Sequence, residues 1–124
     1  MMVVKSSPAY SSSLDDARWY TIIDEGNVRI QMDKDLFASR VDDSGYNIVC
    51  WMRTTKKKEN VTFYINQEFM SKEVLKSRVI QGYIVNGKNR DEIGEWHIVP
   101  NESFETFIFN KLVKYDMDKT LPIK

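Results

Sequence analysis

Histidine and cysteine are almost absent from this 124-residue chain, which has one of each. The single histidine, His97, excludes a metal site built from several imidazoles, and no nucleophile motif such as Gly-x-Ser-x-Gly accompanies it. The single cysteine, Cys50, excludes an internal disulfide and a multi-thiol zinc site. We therefore predict a protein that is not an enzyme and has no cofactor or metal, with a structural or surface His97 and a small, buried Cys50.

The chain also lacks an excess of either charge and any long apolar run. Its 18 basic and 18 acidic residues cancel, so the general attraction to polyanions that is typical of a nucleic-acid binder is not expected. No run approaches the roughly 18 apolar residues of a membrane span, so membrane insertion is not expected either. The pairs Asp33-x-Asp35 and Asp42-Asp43 lack the ligand spacing and closing glutamate of an EF-hand loop.

The length predicts one domain. Residues 1–17 are rich in serine and start with a short apolar stretch, which is shorter than a signal-peptide core of about 7 to 15 residues. They predict a disordered leader or a signal remnant. The folded domain is predicted over 18–115, with a flexible tail over 116–124.

Alternating and β-branched runs predict a series of strands. Arg18–Ile23 and Val28–Asp33 predict a hairpin around the turn Asp24–Asn27, and 34–45 predicts a loop with a short turn of helix or strand. Residues 46–54 predict a central strand, because Ile48, Cys50 and Met52 form one apolar face while Val49 and Trp51 stand on the other.

The second half of the domain continues this pattern. A strand is predicted from Val61 to Phe69 and another over 74–85, although 68–77 alone also fits a helix. Asn86-Gly87 predicts a tight hairpin turn. A polar connection over 88–94 then leads to a closing strand over 95–99, which Pro100 ends.

One amphipathic helix is predicted after Pro100. Asn101 or Ser103 can cap it, and Glu105 suits its positive end. Its core-facing stripe is predicted from the spacing of five apolar residues: Phe104, Phe107, Ile108, Leu112 and Tyr115. The fold class is therefore α+β, a single antiparallel sheet of five to six strands with one C-terminal helix packed across one face.

Two groups of residues are candidates for binding a protein partner. Lys56, Lys57 and Lys58 form the one run of positive charge and predict an exposed hairpin tip. Trp51 and Tyr64 are the side chains expected to line any sheet face that the helix does not cover, and tryptophan and tyrosine are enriched in binding surfaces. The same face is the candidate for a homodimer contact.

The order of these motifs resembles the surface-adhesin protein E-like family. The resemblance is carried by Trp19 before an Ile-Ile strand, by Val49-x-Trp51, by Tyr83 before Asn86-Gly87-Lys88, and by Trp96-x-Ile98-Val99-Pro100-x-x-Ser103-x-Glu105 before the helix. It spans about residues 18 to 115. It implies a secreted, cell-surface or periplasmic bacterial protein that adheres to host extracellular-matrix or plasma proteins.

This chain departs from that family in its cysteines. The resemblance implies a disulfide between helix and sheet, whereas Tyr115 stands near the place of a helix-end cysteine and no intact export signal is recognisable. We predict a non-catalytic, secreted or surface-associated binding module that contacts other proteins. The alternatives are a small-ligand carrier or envelope enzyme with a pocket between helix and sheet, and a structural envelope subunit.

Overall fold

The protein is an open antiparallel sheet with one helix across a face. The computed structural model describes residues 17–85, 88–90 and 94–120. The elements are β1 Trp19–Glu25, β2 Val28–Asp42, β3 Gly45–Lys56, β4 Val61–Ser71, β5 Leu75–Val85, β6 Lys88–Arg90, β7 His97–Ile98 and α1 Phe104–Thr120. Strands β1 to β6 lie side by side in chain order, and β7 pairs with β5. The predicted α+β class is confirmed.

The β1–β2 hairpin forms at the predicted place. Trp19 pairs with Asp33 and Glu25 pairs with Val28, so residues 26–27 make the turn. Gly26 has a φ of +55°, a left-handed conformation that glycine adopts at little cost and that two-residue hairpin turns favour. The turn therefore sets the register of the first two strands.

Strand β2 is longer than the sequence predicted. The loop expected over 34–45 is wrong, because the strand continues to Asp42. Of the charged residues that suggested a loop, Lys34 and Asp35 lie in a bulge, where 33–36 stand opposite Trp51 alone and regular pairing resumes at Phe37. Asp42 and Asp43 lie at the turn between β2 and β3. The bulge interrupts the alternation of side chains, which is why the sequence pattern did not read as one strand.

The middle and far strands follow the prediction more closely. The helix alternative over 68–77 is wrong, because these residues belong to the β4–β5 hairpin. Strand β5 pairs antiparallel with β6, with Ile84 opposite Lys88. The tight turn predicted at Asn86-Gly87 lies outside the described residues. The predicted polar connection contains β6, and the predicted closing strand is reduced to the two residues of β7.

The core lies between the sheet and α1. Its members are at most 8% exposed: Ile22, Ile30, Met32, Ile48, Cys50, Met52, Phe69, Ile108, Phe109 and Leu112. The β3 face that was predicted to be apolar supplies three of them. Burial raises the pKa of the Cys50 thiol to about 12, as expected for a thiol that serves as a small buried hydrophobe.

Helix α1 begins at a serine cap. Ser103 Oγ accepts the backbone N–H of Thr106 at 3.2 Å, which satisfies one of the free N–H groups of the first turn. Of the two predicted caps, Ser103 is therefore correct and Asn101 lies in the preceding turn. Thr106 Oγ1 also donates to the carbonyl oxygen of Pro100 at 2.8 Å, which fixes the start of the helix against the end of the sheet.

The buried face of α1 differs from the predicted stripe. Ile108 and Leu112 are buried as expected, and Phe109 is only 8% exposed. Phe104 and Phe107 are instead 53% and 43% exposed, and they stack on each other with ring centroids 6.4 Å apart. The helix also continues to residue 120, so the predicted tail from residue 116 begins as helix.

The end of α1 is held by non-covalent contacts where the family resemblance implies a disulfide. The ring of Tyr115 lies 5.0 Å from that of Tyr20 and 5.1 Å from that of Phe37. The buried carboxylate of Asp116 accepts hydrogen bonds from the Tyr46 hydroxyl and from Ser39 Oγ. These contacts join the helix to β1, β2 and β3.

The Tyr46–Asp116 hydrogen bond predicts a loss of stability at alkaline pH. Burial, together with the bond to Asp116, raises the pKa of Tyr46 above its ordinary value. The stabilisation is thus complete below about pH 10, where the unfolded tyrosine is protonated, and is lost as the pH rises further. We expect Tyr46→Phe to make the free energy of unfolding, measured in urea at pH 8 to 11, fall less steeply than in the wild type.

The size of that difference is bounded. A single titrating group changes the free energy of unfolding by at most about 1.4 kcal/mol per pH unit. Tyr46 contributes less than this limit, because its ring is partly exposed and solvent screens the interaction. Equal slopes in the two proteins would show that the phenol is no better stabilised in the folded state than in the unfolded chain.

Candidate functional site

The sheet has an open face on the side opposite to α1. Because side chains alternate along a strand, Trp51 and Arg53 of β3 lie on this face while Cys50 and Met52 lie in the core. Tyr64 of β4 pairs directly with Arg53 and shares its face. The structure therefore brings Trp51 and Tyr64 together where the sequence predicted them to be.

A groove of about 730 Å³ lies on the open face beside the β2 bulge. Its aromatic lining consists of Trp19, Trp51 and Tyr64, and its charged lining includes Arg18 and Arg53. The bulge adds an aliphatic side chain to the wall, and β5 adds a primary amide. The groove therefore offers flat apolar surfaces and hydrogen-bonding groups within one concave site, as ligand sites do.

Arg18 and Asp33 form an ion pair at one part of this lining. The Asp33 side chain is only 2% exposed, and it accepts hydrogen bonds from Nε and Nη2 of Arg18 at 3.0 and 2.8 Å. It also accepts the backbone N–H of Asp35 at 3.0 Å, within the bulge. The hydrogen bond and the charge of Asp33 raise the pKa of Arg18. The pair fixes the bulge and neutralises one of the two arginines.

Arg53 is held in place by a ring and an amide. Its guanidinium carbon lies 3.8 Å from the centroid of the Trp19 indole, within the range of a cation–π contact. Its Nε donates to Oε1 of Gln31 at 2.9 Å, and Gln31 is itself buried. The group is therefore oriented before any partner binds, which reduces the entropic cost of binding.

Two buried polar atoms on this side of the sheet have no hydrogen-bond partner among the described residues. They are Oδ1 of Asn66 and Nε of Arg29. Asn66 pairs with Trp51 on one side and with Gln81 on the other, and both neighbours line the groove. An unsatisfied buried polar atom costs about 1–3 kcal/mol, and this one lies beneath the groove rather than in its lining.

The predicted lysine tip is exposed but is not part of the groove. Lys56, Lys57 and Lys58 lie at the β3–β4 turn, where all three are exposed. Lys57 Nζ pairs with Asp24 of the neighbouring hairpin, and Lys56 Nζ lies 5.6 Å from the ring of Phe63. Since the tip begins five residues beyond Trp51, it stands about 17 Å along the strand at 3.3 Å per residue.

His97 of β7 contacts the first turn of the helix. Its Nε2 lies 2.9 and 3.1 Å from the two carboxylate oxygens of Glu105 in the first turn of α1. Gln67 donates to the same carboxylate at 3.2 Å and to the buried Ser77 at 2.7 Å. The network links β4, β5 and β7 to the helix.

In the part of the chain that the structure describes, no cluster of acidic, histidine or cysteine side chains could hold a metal ion.

The sequence did not identify Trp19, Arg53 and the Arg18–Asp33 pair as parts of the site. The first lies on β1 and the second on β3, so their contact depends on the β1–β2–β3 register. The available signal was alternation along β3, which puts Arg53 on the face of Trp51.

Over the described ranges, no helix has both the length and the apolar character required to cross a membrane. In comparisons with protein-family models, curated proteins and solved structures, none matched this chain.

Proposed function

We propose that this protein is a non-catalytic binding module that contacts another protein through the groove on its open face. The main support is that Trp19, Trp51 and Tyr64 line one groove together with the oriented guanidinium of Arg53. Tryptophan, tyrosine and arginine dominate the energetic hot spots of protein interfaces. All four residues lie on strands of the sheet, so binding costs little conformational entropy in ordering them.

The resemblance to the surface-adhesin protein E-like family supports the rest of the proposal. The partner is a host extracellular-matrix or plasma protein, and the module acts as an adhesin-like protein that is secreted or held at the bacterial surface. Asp116 and Tyr115 hold the helix without a disulfide, so the missing cysteines do not remove the surface on which adhesion depends.

The open face is favoured over the lysine tip and over a helix–sheet pocket. The tip uses Lys57 for an internal ion pair with Asp24, which leaves less of its charge for a partner. The space between helix and sheet is occupied by fully buried side chains such as Met32, Phe69 and Leu112. A carrier would need that space to be open to a ligand.

Binding to a panel of purified laminin, fibronectin, collagen and fibrinogen tests the proposal. For any protein that binds, we expect Trp51→Ala and Tyr64→Ala to weaken binding at least about tenfold, since hot-spot residues cost about 2 kcal/mol or more. Surface plasmon resonance measures the dissociation constant, and circular dichroism establishes that each variant is folded.

Trp96→Ala is the matched control, because Trp96 is partly exposed and stacks with Arg78 away from the groove lining. It should bind as the wild type does. Replacing Lys56, Lys57 and Lys58 together by alanine should likewise leave binding unchanged. Loss of binding in the lysine variant alone would assign the contact to the tip, and a panel without any binder would reject the adhesin-like role.

A further inference from the structure

The groove on the open face is basic although the chain as a whole is neutral. The chain has no net charge, yet the groove is lined by two arginines, Arg18 and Arg53, and by one acidic residue, Asp33. Asp33 pairs with Arg18 at 2.8 Å. The charge of Arg53 is therefore not compensated by an acidic residue of the groove lining.

Arg53 is oriented in the groove in a way that suits an anion. Its Nε donates to Gln31, and one face of its planar guanidinium stacks on the Trp19 ring. The two terminal nitrogens make no hydrogen bond to the residues that the structure describes. A guanidinium presents such nitrogens as a planar fork that matches the two oxygens of a carboxylate.

The surroundings of Arg53 define what accompanies the anion. Tyr64 is its direct cross-strand neighbour, and Trp51 stands next along β3 on the same face. Leu36 of the bulge lines the same groove with its side chain half exposed.

We infer that the partner is recognised through an acidic peptide segment, whose Asp or Glu carboxylate binds Arg53. A neighbouring apolar side chain of the peptide lies against Trp51 and Leu36. The aliphatic wall at Leu36 matches an apolar side chain better than the hydroxyl groups of an acidic sugar. This inference rests on the proposed function and names the partner chemistry of the same groove.

Selection of random dodecapeptides displayed on phage, with the wild-type protein as bait, tests the inference. We expect the recovered peptides to be enriched in Asp or Glu next to an aliphatic or aromatic residue. Synthetic copies of them should lose at least tenfold in affinity with Arg53→Gln, measured by isothermal titration calorimetry. Arg53→Lys should give an intermediate loss, because it keeps the charge without the planar fork.

The matched control is Arg40→Gln, which changes an exposed arginine of β2 that pairs with Asp42 outside the groove lining. Its peptide affinity should stay within twofold of the wild type. Peptides without acidic enrichment that still require Trp51 would overturn the inference and leave the proposed function intact. Peptides that bind independently of both Trp51 and Arg53 would overturn both. Selective, Arg53-dependent binding to uronic-acid glycans on an array, without acidic peptides, would also overturn it.

Discussion

Replacing Phe69 by alanine will lower the free energy of unfolding by about 3–5 kcal/mol, the usual cost of removing a buried phenylalanine ring. Phe69 is 0% exposed. It sits on β4 opposite Ile48 and lies 5.6 Å from the ring of Phe109 on the helix. Truncation leaves a cavity at the point where sheet and helix meet. Urea denaturation at neutral pH, followed by far-UV circular dichroism, measures the loss.

Phe107→Ala is the control for this prediction. Phe107 is a phenylalanine of α1 that is 43% exposed, so its replacement should cost less than about 1 kcal/mol. The contrast also tests the orientation of the helix. Equal costs for Phe69→Ala and Phe107→Ala would mean that α1 packs with the stripe that the sequence predicted, with Phe107 in the core.

The orientation of α1 could not be predicted from spacing alone. Phe104, Phe107 and Phe109 lie on overlapping stripes, and each stripe also includes Ile108 and Leu112. Periodicity identifies a helix but does not choose between two stripes that share members. The choice is made by the sheet, because Phe109 meets both Tyr46 and Phe69 there.

The fold class was predictable because it depends on local signals. These signals lie within short stretches of neighbouring residues. They are the turn sequences at Asp24–Asn27 and Asn86-Gly87 and the two-sided apolar pattern of β3. The β2 bulge was not predictable, since Asp33 is stabilised by Arg18, a residue fifteen positions away. The strand was therefore predicted to end at Asp33, and the residues of the bulge after it were predicted as the start of a loop.

The candidate site, like the fold, was predictable only in the part that depends on local sequence. Alternation along β3 and β4 was enough to place Trp51 and Tyr64 on one face. Stacking of Arg53 on Trp19 required the register of three strands, and the groove itself required the bulge that carries Leu36. Short-range pattern therefore predicts which face is available for binding, whereas long-range pairing decides the shape and charge of the groove.

Gly45→Ala tests whether that pairing depends on the β2–β3 turn. Gly45 has a φ of +119°, which side-chain-bearing residues rarely adopt. A Cβ there would stand 2.5 Å from the backbone oxygen of Ser71 and 3.0 Å from Cβ of Lys72. We expect a loss of about 2–6 kcal/mol, the sum of about 1–3 for backbone strain and about 1–3 for the steric overlap.

Gly26→Ala separates the two contributions, because Gly26 also has a positive φ but a Cβ would meet nothing within 4 Å. Its cost should be only about 1–2 kcal/mol, that of a left-handed alanine. Urea unfolding of both variants gives the comparison. If Gly45→Ala cost no more than Gly26→Ala, the close approach of the β2–β3 turn to Ser71 would not constrain the fold. Because this turn sets the register in which β3 returns along β2 towards the bulge, the Gly45 variant should also weaken any binding that depends on Trp51.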